Sequence, residues 1–274
     1  MNNSPQLYIF SPNIQLEYMI YGHGKKSLIC FHGFGQDYLV FENFSFEIEN
    51  YQVISVNLFF HGRSDRVKGA KYMTHKEWKK ILNGFLNELN IDRFSILGYS
   101  MGGRYVTSTI NSFSDRIDHC IFMAPDGIVK RRSFEFATFP LGPQQMFRFF
   151  MNNPQPFFIF LNIIEKTRLM NPWTIKFSKS QLKDEEQRLR VLKCWITLKH
   201  LRLKQTDLVH LINQAKFKTH LIFGKYDRII IPEKHQSFFD RLNSASISII
   251  ESPHHELIDL SLPTIKKFLL QESK

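Results

Sequence analysis

Eight consecutive residues, Leu97-Gly98-Tyr99-Ser100-Met101-Gly102-Gly103-Arg104, restrict the folding of this chain more than any other stretch. Ahead of Ser100, residues 94–97 form a short apolar run suited to a strand, and residues 104–110 carry no helix breaker. Ser100 therefore falls on a sharp strand-to-helix turn. A serine held there adopts a strained backbone that tolerates only small residues two places before and after it, and Gly98 and Gly102 occupy those places. The hydroxyl projects above the sheet edge, and the helix N-terminus behind it favours negative charge. The spacing alone arises by accident in many chains. It gains weight only if an oxyanion donor, an acid and a histidine appear in the right order at other strand ends.

The rest of the chain alternates strands with helical stretches. Residues 7–10 and 14–21 make a hairpin at the sheet edge, left through Gly22-His23-Gly24. Residues 27–31 are a fully buried strand running into His32-Gly33-Phe34-Gly35-Gln36-Asp37, a loop that can aim a backbone N–H at a reacting oxygen. Residues 53–58 follow as a strand, and Thr74 with Glu77 makes a capping box for a helix reaching Leu89. After the Ser100 turn comes a strand at 117–123, ending in Ala124-Pro125-Asp126-Gly127. Residues 219–223 form a strand ending in Gly224-Lys225-Tyr226-Asp227, and Pro232 opens a helix towards Leu242. The last strand, 246–250, leads to Glu251-Ser252-Pro253-His254-His255 and a helix at 257–270 that Pro263 kinks or divides. This alternation implies an α/β fold with a mostly parallel, doubly wound sheet and right-handed crossovers. Gly24-Lys25-Lys26-Ser27 is not a phosphate-cradling loop, because Met19 stands where its first glycine is needed.

Charge and composition divide the chain. Its net charge is +11, and residues 128–206 hold 15 Lys and Arg against 5 Asp and Glu, together with 10 of the 27 phenylalanines. So abrupt a shift marks an inserted unit at 128–206 within a core made of 1–127 and 207–274. The excess of cations suits an anionic substrate or contact with an acidic membrane surface, and a solvated face such as 183–193 uses them equally well. No nucleic-acid recognition motif accompanies them. Cys30, Cys120 and Cys194 are odd in number and far apart, which fits reduced thiols and a reducing compartment. The first six residues lack a signal-peptide pattern, and the longest apolar run, 157–164, is interrupted by Asn162 and too short to span a bilayer. A soluble, cytoplasmic protein is expected.

Ser100, Asp227 and His255 follow one another in the chain, each just past the end of an expected strand. In an open parallel sheet those ends share one edge. A serine hydroxyl is a poor nucleophile; a histidine takes its proton and an aspartate holds the imidazole in the right tautomer. Met101 N–H and Phe34 N–H are the candidate oxyanion donors. Neither His-Glu-x-x-His nor paired-cysteine spacing occurs, and no metal or other cofactor is expected. His32 and His61 read as structural hydrogen-bonding histidines, and Asp126 as a turn or helix cap. Tyr99 and Arg104 are candidate substrate-binding residues, Arg104 as an anion anchor, although each also suits a purely structural place.

His32-Gly33-Phe34-Gly35, His61-Gly62-Arg63-Ser64, Gly98-Tyr99-Ser100-Met101-Gly102-Gly103, Gly224-Lys225-Tyr226-Asp227 and His255 together resemble the successive signatures of the α/β-hydrolase superfamily. The likeness covers nearly the whole chain outside the insertion, and it implies that the insertion is a helical lid carrying substrate choice. Its phenylalanines, Phe147, Phe149, Phe150, Phe157, Phe158 and Phe160 among them, suit either an acyl pocket or the lid's own core. Two departures stand out: Asn57 replaces the usual aspartate, and Pro253-His254 precedes His255 where a small residue is usual. His254 is thus a rival to His255, which is favoured because Glu256-Leu257 matches the usual start of the last helix. Asp126 rivals Asp227, since some members draw their acid from the sixth strand. The resemblance implies a serine hydrolase of carboxylic esters acting through an acyl-enzyme. Two alternatives are a lyase resembling the SHCHC synthase of menaquinone biosynthesis, whose elbow is similar, and a non-catalytic receptor or scaffold on the same fold.

Overall fold

The computed structural model describes residues 4–66, 72–167, 175–176, 179–180 and 182–270. They form two compact units, one of residues 1–129 with 200–274 and the other of residues 130–199.

The larger unit is built on one sheet. Its strands are β1 (Gln6–Ser11), β2 (Ile14–Tyr21), β3 (Lys26–Phe31), β4 (Tyr51–Val56), β5 (Asp65–Arg66), β6 (Phe94–Tyr99), β7 (Ile117–Met123), β8 (Lys218–Gly224) and β9 (Ala245–Ile250). The spatial order is β1-β2-β4-β3-β6-β7-β8-β9, with β5 paired to β2. β1 and β2 are an antiparallel hairpin, β2 joins β4 antiparallel, and every pair from β4 to β9 along that order is parallel. The chain moves outward from β3 to β4 and then returns to lay β6 on the other side of β3. The gap between the loops leaving β3 and β6 is therefore the switch point at which ligands gather in sheets of this type.

Register aligns the strand ends that matter. Phe31 lies opposite Gly98, Gly98 opposite Phe122, Met123 opposite Ile222, and Gly224 opposite Ile250. The loops that follow β3, β6, β8 and β9 consequently leave from one edge. These strands can be apolar almost throughout because the sheet is covered on both faces: all six residues of β6 are buried, as are the last five of β3.

Two helices cover the sheet beside the Ser100 turn. Thr74 caps the helix His75–Glu88, its hydroxyl accepting from Glu77 N–H at 3.1 Å. Trp78, Ile81, Leu82, Phe85 and Leu86 repeat at helical spacing and are buried. The helix Gly102–Phe113 is buried along almost its whole length. Trp78 packs edge-on to Tyr105 at 4.9 Å and to Phe31 at 5.7 Å, and its indole N–H donates to Thr109 Oγ1 at 2.9 Å. Burying an aromatic of this size is worth about 2 to 3 kcal/mol, and the paired N–H removes the penalty of carrying its one polar atom inside. At the chain's end the expected long helix is divided: Leu257–Leu260 stops at Ser261, and Leu262–Leu269 restarts with Pro263 in its first turn. Proline suits that place because its missing N–H would have had no partner.

The smaller unit is helical, with Arg132–Thr138, Leu141–Asn152, Pro154–Thr167 and Glu185–Leu198 as its main elements. It spans residues 130–199, narrower than the expected insertion at 128–206, and residues 200–206 fall with the larger unit. There Lys204 precedes the helix Gln205–Gln214, whose Leu208, Val209 and Ile212 are buried and whose contacts run to Gly102–Phe113. A run of basic residues in sequence cannot reveal that the next helix packs elsewhere. Within the smaller unit Trp195 gathers Phe134 at 5.2 Å and Phe147 at 5.3 Å, so some of the phenylalanine excess forms a core of its own. Arg188 is buried, donating to the carbonyls of Met151, Leu182 and Lys183, although it lies within the stretch expected to be a solvated charged face.

Candidate active site

Ser100 follows β6 with φ at +50°, in the left-handed region that L-residues avoid. Its N–H donates to the Met123 carbonyl at 2.9 Å, and its own carbonyl accepts from Gly103 at 2.9 Å and Asp126 at 2.8 Å. Those bonds hold the strained residue in place. Close approach explains the flanking glycines: a Cβ on Gly98 would strike Val106 and the Gly102 carbonyl, and one on Gly102 would strike the Phe31 carbonyl.

Asp227 follows β8 and its carboxylate is buried. Oδ1 accepts from the N–H groups of Ile229 at 2.7 Å and Ile230 at 2.8 Å, so the loop itself fixes the carboxylate. Oδ2 lies 2.5 Å from His254 Nδ1. A carboxylate oxygen only accepts, so Nδ1 carries the proton and Nε2 presents its lone pair. That Nε2 stands 3.1 Å from Ser100 Oγ and accepts from the hydroxyl. Ser100, His254 and Asp227 thus form one continuous hydrogen-bonded chain, drawn from the ends of β6, β9 and β8.

His254, and not the expected His255, is therefore the histidine bonded to Ser100. His255 is 79 % exposed and reaches Glu256 Oε1 at 3.2 Å. The physical cause lies in the short 3-10 turn His254–Glu256, entered from an extended Pro253. Adjacent residues of such a turn point about 120° apart, so only one of the two histidines can face Ser100. The His254 carbonyl accepts from Tyr99 O–H at 2.6 Å, and the two rings lie 5.0 Å apart, which ties the turn to the strand bearing the serine.

The two expected substrate-binding residues, Arg104 and Tyr99, each have a partner within the fold. Arg104 is buried and its Nε donates to Asp126 Oδ2 at 2.7 Å, a pair that also engages the rival acid. Tyr99 is buried, and burial raises its phenol pKa above the ordinary value, with Asp227 adding to the shift. It remains a neutral donor to the His254 turn.

Of the other candidate groups, Phe34 lies in loop 32–37 and Met101 directly follows Ser100, before the helix Gly102–Phe113. No hydrogen bond from Phe34 N–H or Met101 N–H is found among the described residues. Phe34 is steadied from below. His61 Nδ1–H donates to the Phe59 carbonyl at 3.1 Å, so its Nε2 is an acceptor, and Gly35 N–H donates to it at 3.0 Å. The Phe34 ring meets His61 edge-on at 5.7 Å. His32 acts similarly in a deeper layer, donating through Nδ1 to the Gly33 carbonyl at 2.7 Å and accepting from Leu58 N–H at 3.0 Å. Burial, with His61 nearby, lowers its pKa to about 3. Both histidines are hydrogen-bonding supports in the described structure.

One functional support escaped sequence reasoning. Glu17 of β2 is a buried carboxylate that accepts from Asn57 Nδ2 at 2.8 Å and from Arg63 N–H and Nε at 2.8 and 2.6 Å. Burial alone would raise its pKa, but the Arg63 N–H and guanidinium and the Asn57 amide outweigh that and lower it. Asn57 Oδ1 also accepts from Tyr38 N–H at 2.7 Å. The departure at Asn57 thus has a partner: an aspartate there would face a second carboxylate. The only sequence signal was an acidic residue inside a largely apolar strand. Among the described residues no three His, Cys, Asp or Glu side chains group closely enough to hold a metal ion.

A mostly parallel sheet bearing a serine on a strained turn at its switch point, backed by groups from two later strand ends, defines the hydrolase class of α/β proteins. The chain belongs to the α/β-hydrolase fold family, whose model matches residues 26–259. It is similar to an uncharacterized protein of Mycobacterium tuberculosis, 26 % identical over 132 residues that cover 47 % of this chain and 38 % of that one. A 2-hydroxy-6-oxononadienedioate/2-hydroxy-6-oxononatrienedioate hydrolase of Cupriavidus pinatubonensis is 30 % identical over 107 residues, 37 % of each chain. The chain thus spans less than two fifths of the length of these curated relatives. Its fold is shared with a thermophilic esterase from Thermogutta terrifontis, at a TM-score of 0.67 and 17 % identity over 97 % of this chain and 98 % of that one. It is shared equally with a serine hydrolase from Cycloclasticus zankles, at 0.68 and 16 % over 97 % and 98 %.

Proposed function

We propose that this chain is a serine hydrolase that cleaves a carboxylic ester through an acyl-enzyme. The observation that carries the proposal is the continuous chain from Ser100 Oγ to His254 at 3.1 Å and on to Asp227 at 2.5 Å. In this mechanism His254 Nε2 takes the Ser100 proton as Oγ attacks the ester carbonyl. The imidazolium so formed is stabilised by Asp227, and the negative charge on the carbonyl oxygen is met by Phe34 N–H and Met101 N–H. His254 then returns the proton to the leaving alcohol, and water repeats the sequence on the acyl-enzyme. Each oxyanion donor is worth about 3 kcal/mol of barrier.

Substrate choice is assigned to the inserted unit, the segment the family uses as a lid. Three buried cysteines, none in a disulfide, support a cytoplasmic setting, and no described helix is long and apolar enough to cross a membrane. The lyase alternative keeps only the similarity of its elbow, and Arg104, whose guanidinium pairs with Asp126, adds no anion anchor to it. A scaffold role is disfavoured because binding alone requires no serine in a strained turn with two partners.

Labelling with a fluorophosphonate probe and peptide mapping, beside a p-nitrophenyl ester series of rising chain length, tests the proposal. Modification of Ser100 with turnover of the esters supports it, and the chain-length profile then reports the acyl site. A well-folded protein in which Ser100 resists the probe would overturn it.

A further inference from the structure

The smaller unit carries an exposed apolar surface that the chemistry above does not use. From Phe136 to Ile164 the sequence contains one charged residue, Arg148. That stretch folds into the end of the helix Arg132–Thr138 and most of the helices Leu141–Asn152 and Pro154–Thr167. A helix so apolar is ordinarily buried. Here only Leu161 is buried among the described side chains of Pro154–Thr167. Ile159 and Ile163, 59 % and 57 % exposed, stand one turn apart on a ridge, and Leu161 lies about 200° round the helix from Ile159. The outward side is therefore apolar at its centre.

The neighbouring helix presents the same character. Leu141, Met146 and Phe149 are exposed on Leu141–Asn152, the first of them at 78 %. Phe150 joins the two helices, its ring 5.3 Å from Phe157 and stacked at 6.5 Å on Phe160. Exposed apolar groups gathered on adjoining helices mark an interaction surface more often than scattered ones do.

Charge selects the occupant. Lys130 and Arg131 precede the apolar stretch, Glu165 and Lys166 follow it with Lys176 beyond, Glu165 is paired with Lys179, and Arg131, Lys166 and Lys176 are exposed. Residues 128–206 as a whole hold three times as many cations as anions. A second copy of this chain would bring an equally cationic unit against the first and meet repulsion. An anionic phospholipid surface offers both complements, an acyl boundary for Ile159 and Ile163 and phosphate headgroups for the flanking cations. We infer that the helices Leu141–Asn152 and Pro154–Thr167 form a membrane-surface docking face for anionic phospholipid, lying in the interface without crossing it. The inference stands apart from the reaction proposed above, since it needs neither Ser100 nor its partners.

Sedimentation of the full chain with vesicles of phosphatidylcholine, alone or with phosphatidylglycerol as about a quarter of the lipid, tests it at low and high salt. The expected result is binding to the mixed vesicles that falls roughly tenfold when the anionic lipid is omitted or the salt is raised. The double variant Ile159→Ser/Ile163→Ser should lose roughly tenfold more while keeping its circular dichroism, because both side chains are exposed and unpartnered in the fold. Three results would overturn the inference: no binding to mixed vesicles at low salt, binding that the double variant leaves unchanged, or a concentration-dependent dimer that the double variant abolishes.

Discussion

Replacing His254 by alanine removes the group that bonds both Ser100 and Asp227, whereas replacing His255 removes a side chain that faces solvent. In the ester assay His254→Ala should lower kcat by about four orders of magnitude. His255→Ala should stay within about twofold, and equal losses in the two would contradict the assignment. His61 offers a subtler test. It touches no reacting atom and acts by accepting Gly35 N–H, which positions the loop bearing Phe34. His61→Leu should cost roughly tenfold in kcat with KM little changed, because only charge developing on the carbonyl oxygen senses the displaced donor. A glutamine can both accept from Gly35 and donate to Phe59, so His61→Gln should recover most of that loss. A KM effect without a kcat effect would assign His61 to substrate binding instead.

Glycines of the two loops bear different loads, although the sequence presents them alike. Gly102 begins the helix Gly102–Phe113 against the Phe31 carbonyl, and backbone on both sides leaves neither element free to move. Gly102→Ala should cost about 3 kcal/mol, seen as a lower urea midpoint with unchanged slope. Gly35 has φ at +78°, and a methyl added to it would enter open space, with no other atom within 4 Å. Gly35→Ala should therefore cost only the backbone strain, about 1 to 2 kcal/mol. A midpoint for Gly35→Ala below that of Gly102→Ala would reverse this ranking. The spacing of strand, turn and helix was legible around Ser100 because each local choice agrees with its neighbour. The 3-10 turn at His254 was not, because its direction depends on Tyr99, a residue 155 positions away in sequence.

Across the whole molecule, buried histidines set the acid limit of stability. His32 and His220 have pKa values lowered by burial to about 3 and about 4, against an ordinary 6.5. Above pH 6.5 both are neutral folded and unfolded, and neither makes stability depend on pH. As pH falls below 6.5 the unfolded chain takes up protons that the native state refuses, so stability drops until the folded pKa values are reached. The carboxylate of Glu17, lowered below its ordinary 4.5, extends the loss to lower pH, since its contribution is present above 4.5 and lost as pH falls through the folded value. For His32 alone the loss is on the order of 5 kcal/mol. Urea midpoints should be level from neutral pH to about 6.5 and then fall steeply, and midpoints that stay level to pH 4 would contradict this account. The division into two units has no counterpart in a single local signal. Charge marked the insertion, but the helix Gln205–Gln214 lies with the larger unit because its apolar face is buried there.

The sequence by itself determined the α/β class, the strand-to-helix turn at Ser100, the capped helix after Thr74 and the place of an aspartate just past the end of β8. Each of these is written in periodicity, glycine placement or chain order, which act over a few residues. Only the tertiary structure set His254, and not His255, against Ser100, drew Arg104 onto Asp126, and gave Asn57 the buried Glu17 as a partner. Those outcomes depend on which side chains meet across strand ends distant in sequence. A charge or an imidazole takes its role from the group it meets, and that meeting is fixed by packing.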